Sequence, residues 1–266
     1  MSNQARLPDT TGTEHLKHML TGEEYVKQIT SSESDRGARS GFRDLVLRIA
    51  PPGAALFDFG AGTGLDARFF AEHGFTIEAY DVDPRMREFF AGYCRDFMDS
   101  GRVTLDCRGY REFLTREPPA SGRRADLVIS NFAPLNLVDD PHELFAKFHA
   151  LTTPNGKVLA SVLNPCFAGD MRLRWWWRSA PQLWRTGCFF MPGPQAPHYR
   201  RRPANLNALS SPYFRLVRIF RGPPSVLWQQ RKQQLPQGVD FRRGGSYGWL
   251  HAIRSRYLFL LFEKCD

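Results

Sequence analysis

The sequence predicts an α/β fold, a doubly wound, seven-stranded and mostly parallel sheet with an aromatic and arginine-rich insertion after the fifth strand. Three observations predict it. Short apolar, β-rich runs alternate with longer helical patterns through residues 1–163, the rhythm of βαβ units. One of those runs passes straight into a glycine turn and a helix, FDFGAGTGLDA (57–67). The 266 residues are 42% hydrophobic and 13% aromatic, enough to bury a sheet on both of its faces.

Taken in order, Glu14–Ile29 and Gly41–Ile49 carry apolar residues at helical spacing. AALFDF (Ala54–Phe59) is the first buried strand, Leu65–Glu72 a helix, and FTIEAY (Phe75–Tyr80) the second strand. Pro84–Met98 is a helix with proline in its first turn, where the missing N–H costs nothing. RVTLDC (Arg102–Cys107), ADLVIS (Ala125–Ser130) and GKVLASVL (Gly156–Leu163) supply strands three to five. Between the last two, Pro141–Leu151 is a helix opened by the acidic turn Asp139–Asp140. From Asn164 to about Pro212 the chain is rich in Pro, Arg and aromatics with weak periodicity, which is the insertion. YFRLVRIF (Tyr213–Phe220) and RYLFLLFE (Arg256–Glu263) complete the seven strands, separated by a Gly-Pro-Pro turn and a short helical stretch.

Charge is divided unevenly. Residues 1–170 hold 19 Lys+Arg against 24 Asp+Glu, a net of −5, whereas residues 171–266 hold 17 against 3, a net of +14. A basic half suits nucleic acid, anionic lipid, an acidic protein or an anionic substrate, or is simply a solvated arginine-rich surface. Cys94, Cys107, Cys166, Cys188 and Cys265 show no metal-binding or CxxC spacing, so they read as reduced thiols and no metal site is expected. MSNQARLPDTTGTEH has no apolar stretch of the secretory type. The longest clean apolar run, Tyr257–Phe262, is too short for a transmembrane segment. A cytoplasmic location is the expectation.

The chemistry-bearing stretch is the glycine turn. Glycines let the backbone turn tightly and approach a ligand closely, and the helix that follows presents free N–H groups to an anionic group. The spacing of Gly60, Gly62 and Gly64 is GxGxG, not the GxGxxG of dinucleotide sites. Asp58 precedes the turn, and Asp81 ends strand two in AYDVDP, seventeen residues after Gly64. A carboxylate there can accept both hydroxyls of a ribose. Together these features describe a site for an adenosine bearing an amino-acid tail.

On these residues the chain resembles the class I S-adenosylmethionine-dependent methyltransferases. FDFGAGTG resembles their first motif, EAYDVDPRM their "VxGxDxSxxML" segment, ADLVISNFAPLNLVDD their fourth-strand segment, and LTTPNGKVLASVL their "LxPGGxLxxS" segment. The two late strands fit the family's sixth and antiparallel seventh. SNFAPLNLV with the later FRLVRIFRGPP is similar to a bacterial subgroup of small-molecule type.

The resemblance implies S-adenosyl-L-methionine as cofactor and four regions. These are N-terminal helices covering the cofactor site (1–50), the binding core (51–163), an acceptor-covering insertion (164–212) and the last strands (213–266). It implies that Gly60, Ala61, Gly62 and Gly64 lie under the methionine part, with Asp58 supporting its amino group. Asp81 would hold the ribose and Val82 and Met86 flank the adenine. The family's acidic residue after strand three is missing, Gly109 and Tyr110 standing near its place. Asn131 and Phe132 would face the sulfonium and methyl group.

For the acceptor, DNA amino-methyltransferases carry an N-P-P-[YF]-like clamp after strand four. Here that place reads NFAP, and the near-match NPCF (Asn164–Phe167) follows strand five, so nucleic acid is disfavoured as a partner. The expected acceptor is small and aromatic or conjugated, methylated on O or C, free or presented by an acidic carrier protein. Its expected contacts are Tyr25, Asn136, Phe167, Trp176, Trp177, Tyr199 and Arg200, with His198, Tyr199 or His142 as the base where one is needed. The alternatives are a non-catalytic cofactor-binding partner protein, a nucleic-acid methyltransferase, or an oxidoreductase on a dinucleotide fold. RLRWWWRSAPQLWR (Arg172–Arg185) reads as an amphipathic cover over the acceptor, as a peripheral membrane contact, or as plain core.

Overall fold

The structure is a computed structural model that describes residues 21–115, 123–191, 198–222 and 253–265, and the backbone of 238–240. It opens with α1 (Gly22–Ser31), whose start is a capping box: Glu24 N–H donates to Thr21 Oγ1 at 3.2 Å and Thr21 N–H to Glu24 Oε2 at 2.8 Å. The expected helix at Glu14–Ile29 falls partly on residues outside those described. Ser32 then caps α2 (Glu33–Ile49) through Asp35 N–H, so this helix begins well before Gly41, where apolar spacing alone first reveals it.

The chain continues through β1 (Ala55–Phe59), α3 (Leu65–Glu72), β2 (Thr76–Tyr80), α4 (Pro84–Tyr93), α5 (Arg95–Asp99), β3 (Val103–Asp106), α6 (Tyr110–Thr115) and β4 (Ala125–Ser130). α7 (Pro141–Leu151) leads into β5 (Thr152–Leu163). The single helix expected over Pro84–Met98 is two, because Cys94 breaks helical geometry (φ −104°, ψ 12°) and turns its buried Sγ to 3.6 Å from the Gly64 carbonyl. After β5 the insertion folds as α8 (Ala168–Met171), α9 (Arg174–Thr186), a hairpin of β6 (Cys188–Met191) and β7 (His198–Arg201), and α10 (Pro203–Ser210). β8 (Phe214–Arg221), β9 (Gly238–Asp240) and β10 (Tyr257–Lys264) close the main sheet. The helical stretch expected between the late strands lies outside the described residues.

The sheet order is β3-β2-β1-β4-β5-β10-β8-β9. The first five strands are parallel and β10 runs antiparallel between β5 and β8. All seven expected strands are present, and the three-residue β9 adds an eighth at the edge beside β8. Side chains alternate across the sheet: Leu56, Ile77 and Phe259 pack with Phe42, Phe70 and Phe90 on the α2–α4 side. Phe57, Val158 and Phe262 pack with Phe113, Phe145 and Phe148 on the other. Among the described residues no helix is long and apolar enough to cross a membrane. Chain order reverses between β1 and β4, so the turns after these two strands open a crevice at the carboxyl ends, where open α/β sheets hold ligands.

Candidate active site

The turn after β1 is pinned to β2, since Gly60 and Ala61 both donate N–H to the Tyr80 carbonyl, at 2.8 and 3.0 Å. Two of its glycines are required for different reasons. Gly64 has φ +80°, and a Cβ there would lie 2.7 Å from Phe90 and 2.8 Å from Cys94, so it is needed for close packing. Gly62 has φ +56° with nothing within 4 Å of a Cβ; the space over it is open. Gly62 N–H donates to Asp81 Oδ2 at 2.7 Å, and Asp83 N–H to Asp81 Oδ1 at 2.8 Å. Burial raises the Asp81 carboxyl above its usual value against the pull of those two donors.

Two more carboxylates stand behind the turn. Asp58, at the buried end of β1, has an Oδ2 with no hydrogen-bond partner. Burial pushes its pKa well above the usual range, with Asp66 and Asp81 adding to the rise and Arg39 opposing it. Asp66, on α3, is fully engaged: Arg43 Nε reaches Oδ1 at 2.7 Å, and Arg39 Nη1 and Asn131 Nδ2 reach Oδ2 at 2.7 and 2.9 Å. Burial alone would raise it, but the two guanidiniums and the amide outweigh that and hold its carboxyl below the ordinary value. Tyr25, Arg39, Asp58, Thr63, Asp66, Asn131 and Phe132 line a small void of about 20 Å³ against Gly60, Ala61 and Gly62.

The turn after β4 is held under strain. Asn131 Oδ1 accepts the N–H of Phe132 at 2.9 Å, and Phe132 and Ala133 have φ of +60° and +67°. Left-handed backbone costs a non-glycine residue about 1–2 kcal/mol, and such strain collects at functional sites. It presents the Phe132 ring beneath the Arg39 guanidinium, 4.5 Å from the ring centre, and edge-on to Tyr257 at 5.6 Å.

The profile of a family described as a methyltransferase domain matches residues 34–195, more than half of the chain. The chain belongs to the S-adenosylmethionine-dependent methyltransferases. Solved structures share its fold. A TehB-like S-adenosylmethionine-dependent methyltransferase from Corynebacterium glutamicum is 14% identical, with 92% of this chain and 98% of that one covered and a TM-score of 0.55. The 1,6-didemethyltoxoflavin-N1-methyltransferase of Burkholderia thailandensis, with bound 1,6-didemethyltoxoflavin and S-adenosylhomocysteine, is 19% identical over 93% and 92%, TM-score 0.56. Magnesium protoporphyrin IX methyltransferase from Synechocystis, with bound S-adenosylhomocysteine, is 13% identical over 87% of each chain, TM-score 0.52. No curated protein matches the sequence.

The methyltransferase's glycine turn suits its cofactor chemically. An unpartnered buried carboxylate oxygen on Asp58 calls for a cation, and the amino acid of S-adenosylmethionine carries an ammonium beside its sulfonium. The larger cavity, about 210 Å³, lies at the opposite ends of the strands among Ala55, Thr76, Thr104, Arg124 and Leu151. It has neither a glycine turn nor a helix start, and size alone does not make it the reaction site.

The residues expected at the site divide into two groups. Asp58, Gly60, Ala61, Gly62, Gly64, Asp81, Asn131 and Phe132 do gather, with Tyr25, at the turns after β1 and β4. Val82 stands just beyond them, 56% exposed, and Met86 is half-buried in the first turn of α4. Gly109 is exposed, and Tyr110 opens α6 with its ring against the core and a buried, unpartnered hydroxyl. Its phenol is therefore turned into the protein.

The second group is held by the scaffold. Asn136 spends both ends of its amide, donating to the Tyr199 carbonyl at 2.5 Å and accepting from Leu163 N–H at 3.0 Å. Arg200 is buried in an ion pair with Asp170 at 3.1 Å and donates to the Asn164 carbonyl and to His198 Nε2. Tyr199 donates to Asp139 at 2.5 Å, and burial with that bond pushes its pKa up to about 12. His142 meets the Leu209 carbonyl at 3.1 Å and the Tyr213 ring, beside α10. Trp176 is buried with its Nε1 donating to Pro165, Trp177 is exposed, and half-buried Phe167 lies over Gly169.

Sequence reasoning missed Arg39, Arg43, Asp66 and Tyr257. The i, i+4 spacing of the two arginines on α2 puts them on one face, and Asp66 sits in the first turn of the helix that follows the glycines. Both signals were readable.

Proposed function

We propose that the protein transfers the methyl group of S-adenosyl-L-methionine to a small, aromatic or conjugated acceptor, by O- or C-methylation. The cofactor supplies an electrophilic methyl on a sulfonium. The chain's residues have the work of binding, orientation and water exclusion, because an in-line displacement depends chiefly on placement. In this reading Asp58 and the glycine turn take the amino-acid end, Asp81 the ribose, and Val82 and Met86 the adenine. Asn131 and Phe132 face the reacting methyl.

The observation that carries the acceptor class is the aromatic corner of Phe132 and Tyr257, edge-on at 5.6 Å. Such a corner favours a planar π-system. Tyr25 of α1 lines the same void as Phe132, and burial pushes the Tyr257 phenol up to about 12. At neutral pH that phenol is a hydrogen-bond donor and not a base. Asp35 Oδ1 is buried without a partner, and one turn before Arg39 it shares that residue's face of α2. The start of the insertion is fastened beside the strand that carries Tyr257, with Asn164 N–H donating to the Arg256 carbonyl at 2.9 Å, and free acids or an acidic carrier match the basic half.

The test is transfer of a labelled methyl group from S-adenosylmethionine to phenols, aryl acids and conjugated carbon acids, with amines as controls. Transfer to the aromatic set supports the reading. Transfer to amines or oligonucleotides alone refutes it.

A further inference from the structure

Between Met171 and Val239 the sequence holds no Asp or Glu. At the start of this tract stands α9, whose inner face is buried through Trp176, Ala180 and Leu183. Its outer face is unlike an ordinary solvated surface. Trp177 is 62% exposed, Trp184 60% and Leu173, at the N-cap, 48%. At 100° per residue these three occupy one flank of the exposed arc, and Arg174, Arg178 and Arg185 occupy its centre. With Arg172, four exposed arginines stand there, and among the described residues none of them pairs with a carboxylate. Arg202 lies over the Trp184 ring at 4.2 Å. The Trp177 indole donates to the Met171 carbonyl at 2.8 Å, so its one polar atom is satisfied inside the protein and its ring is free to leave water.

We propose that the outer face of α9 docks on an anionic lipid bilayer surface. The helix lies in the plane of the interface, with Trp177, Trp184 and Leu173 at the acyl boundary and the arginines among the headgroups. Tryptophan is favoured at that depth, and an amphipathic helix with basic residues and Trp or Leu beside them has the composition of an interfacial element. Charge complementarity fixes the sign of the lipid, since nothing acidic within the tract offsets the arginines. A nucleic-acid strand fits less well. Stacking platforms line a groove that tracks the backbone, whereas these two indoles stand about 10 Å apart along the ridge of one convex helix. The proposal is independent of which acceptor is methylated.

The experiment is co-sedimentation of the full chain with phosphatidylcholine vesicles, with and without phosphatidylglycerol. Companion proteins are Trp177→Ala/Trp184→Ala and Arg174→Gln/Arg178→Gln, each checked for unchanged S-adenosylhomocysteine affinity and melting temperature. Binding is expected on the anionic vesicles only, weakened by salt and reduced about tenfold or more in each double variant. Equal partition into both vesicle types, or none into either, overturns the proposal. Undiminished binding by the tryptophan variant also overturns it, by assigning the attraction to charge elsewhere. An oligonucleotide that displaces the vesicles, and that the double variants no longer bind, overturns it in favour of nucleic acid. Loss of S-adenosylhomocysteine binding by the unaltered protein would instead fault the cofactor reading.

Discussion

Asn131 donates its side-chain amide to Oδ2 of Asp66 at 2.9 Å, tying the strained turn after β4 to the helix that follows the glycine turn. The same side chain accepts the N–H of Phe132 through Oδ1. It therefore sets both the charge behind the void and the backbone that carries the aromatic corner. Asn131→Ala removes both bonds and should cost about 1–3 kcal/mol of stability, read by denaturant unfolding. An unchanged unfolding midpoint would mean that Arg39 alone holds the turn.

Asp58 yields a prediction with opposite signs in two measurements. Its folded-state pKa is raised, so in the cofactor-free protein it favours folding while protonated. That contribution fades as pH rises from about 4, the unfolded value, through the raised folded one. A ligand ammonium needs the carboxylate, so binding of S-adenosylhomocysteine should release a proton and tighten as pH rises through the same window. Asp58→Asn should leave the empty protein as stable or more so, weaken the ligand about tenfold or more, and abolish the release. Calorimetry in two buffers of different ionisation heat reads the affinity and the proton release, denaturant unfolding reads the stability, and proton uptake on binding would refute this assignment.

The glycines separate folding from binding. Gly64→Ala drives a methyl into Phe90 and Cys94 and should lower the melting temperature sharply. Gly62→Ala meets no neighbour and should cost only the left-handed backbone, about 1–2 kcal/mol, while filling the approach to the turn. Its S-adenosylhomocysteine affinity should fall much further than its stability. Equal losses in both variants would place the ligand elsewhere.

How far the sequence disclosed this arrangement follows from the range of the forces involved. The strands of the sheet and the glycine turn are legible because short, continuously apolar runs, buried on both faces as in β1, and the strand–turn–helix junction are local patterns. The break at Cys94 was not, because it depends on a contact with Gly64, thirty residues away. Asn136 and Arg200 look like site residues in the sequence, being polar and next to the right strands. Only the folded chain shows their groups engaged by Tyr199, Leu163 and Asp170. In the sequence Tyr257 is simply a strand residue, since nothing nearby links it to Phe132, whose ring it meets edge-on only in the fold.

The tyrosines constrain the pH profile of transfer. Tyr257 and Tyr199 are both pushed up to about 12, so neither ionises across the working range. A rate profile from neutral to moderately alkaline pH should show no limb that Tyr257→Phe removes. That variant should instead lower kcat/KM for the acceptor by about tenfold, the loss of one donor and its placement, with cofactor affinity unchanged. A basic limb that disappears in Tyr257→Phe would make this residue the base.

Arg39 touches both halves of the site, Asp66 through Nη1 and the Phe132 ring through its guanidinium. Asp66 has a depressed folded pKa. Its stabilising contribution is therefore present above the unfolded value of about 4 and lost as pH falls through the folded one. Arg39→Ala leaves Arg43 and Asn131 on Asp66 and should cost about 2 kcal/mol at neutral pH. The deficit should shrink in acid as Asp66 protonates in both proteins. Denaturant unfolding of the two proteins from neutral pH down to the acid limit measures it. A deficit that does not change with pH would assign the cost to the lost ring contact, and would leave the charge on Asp66 to Arg43 alone.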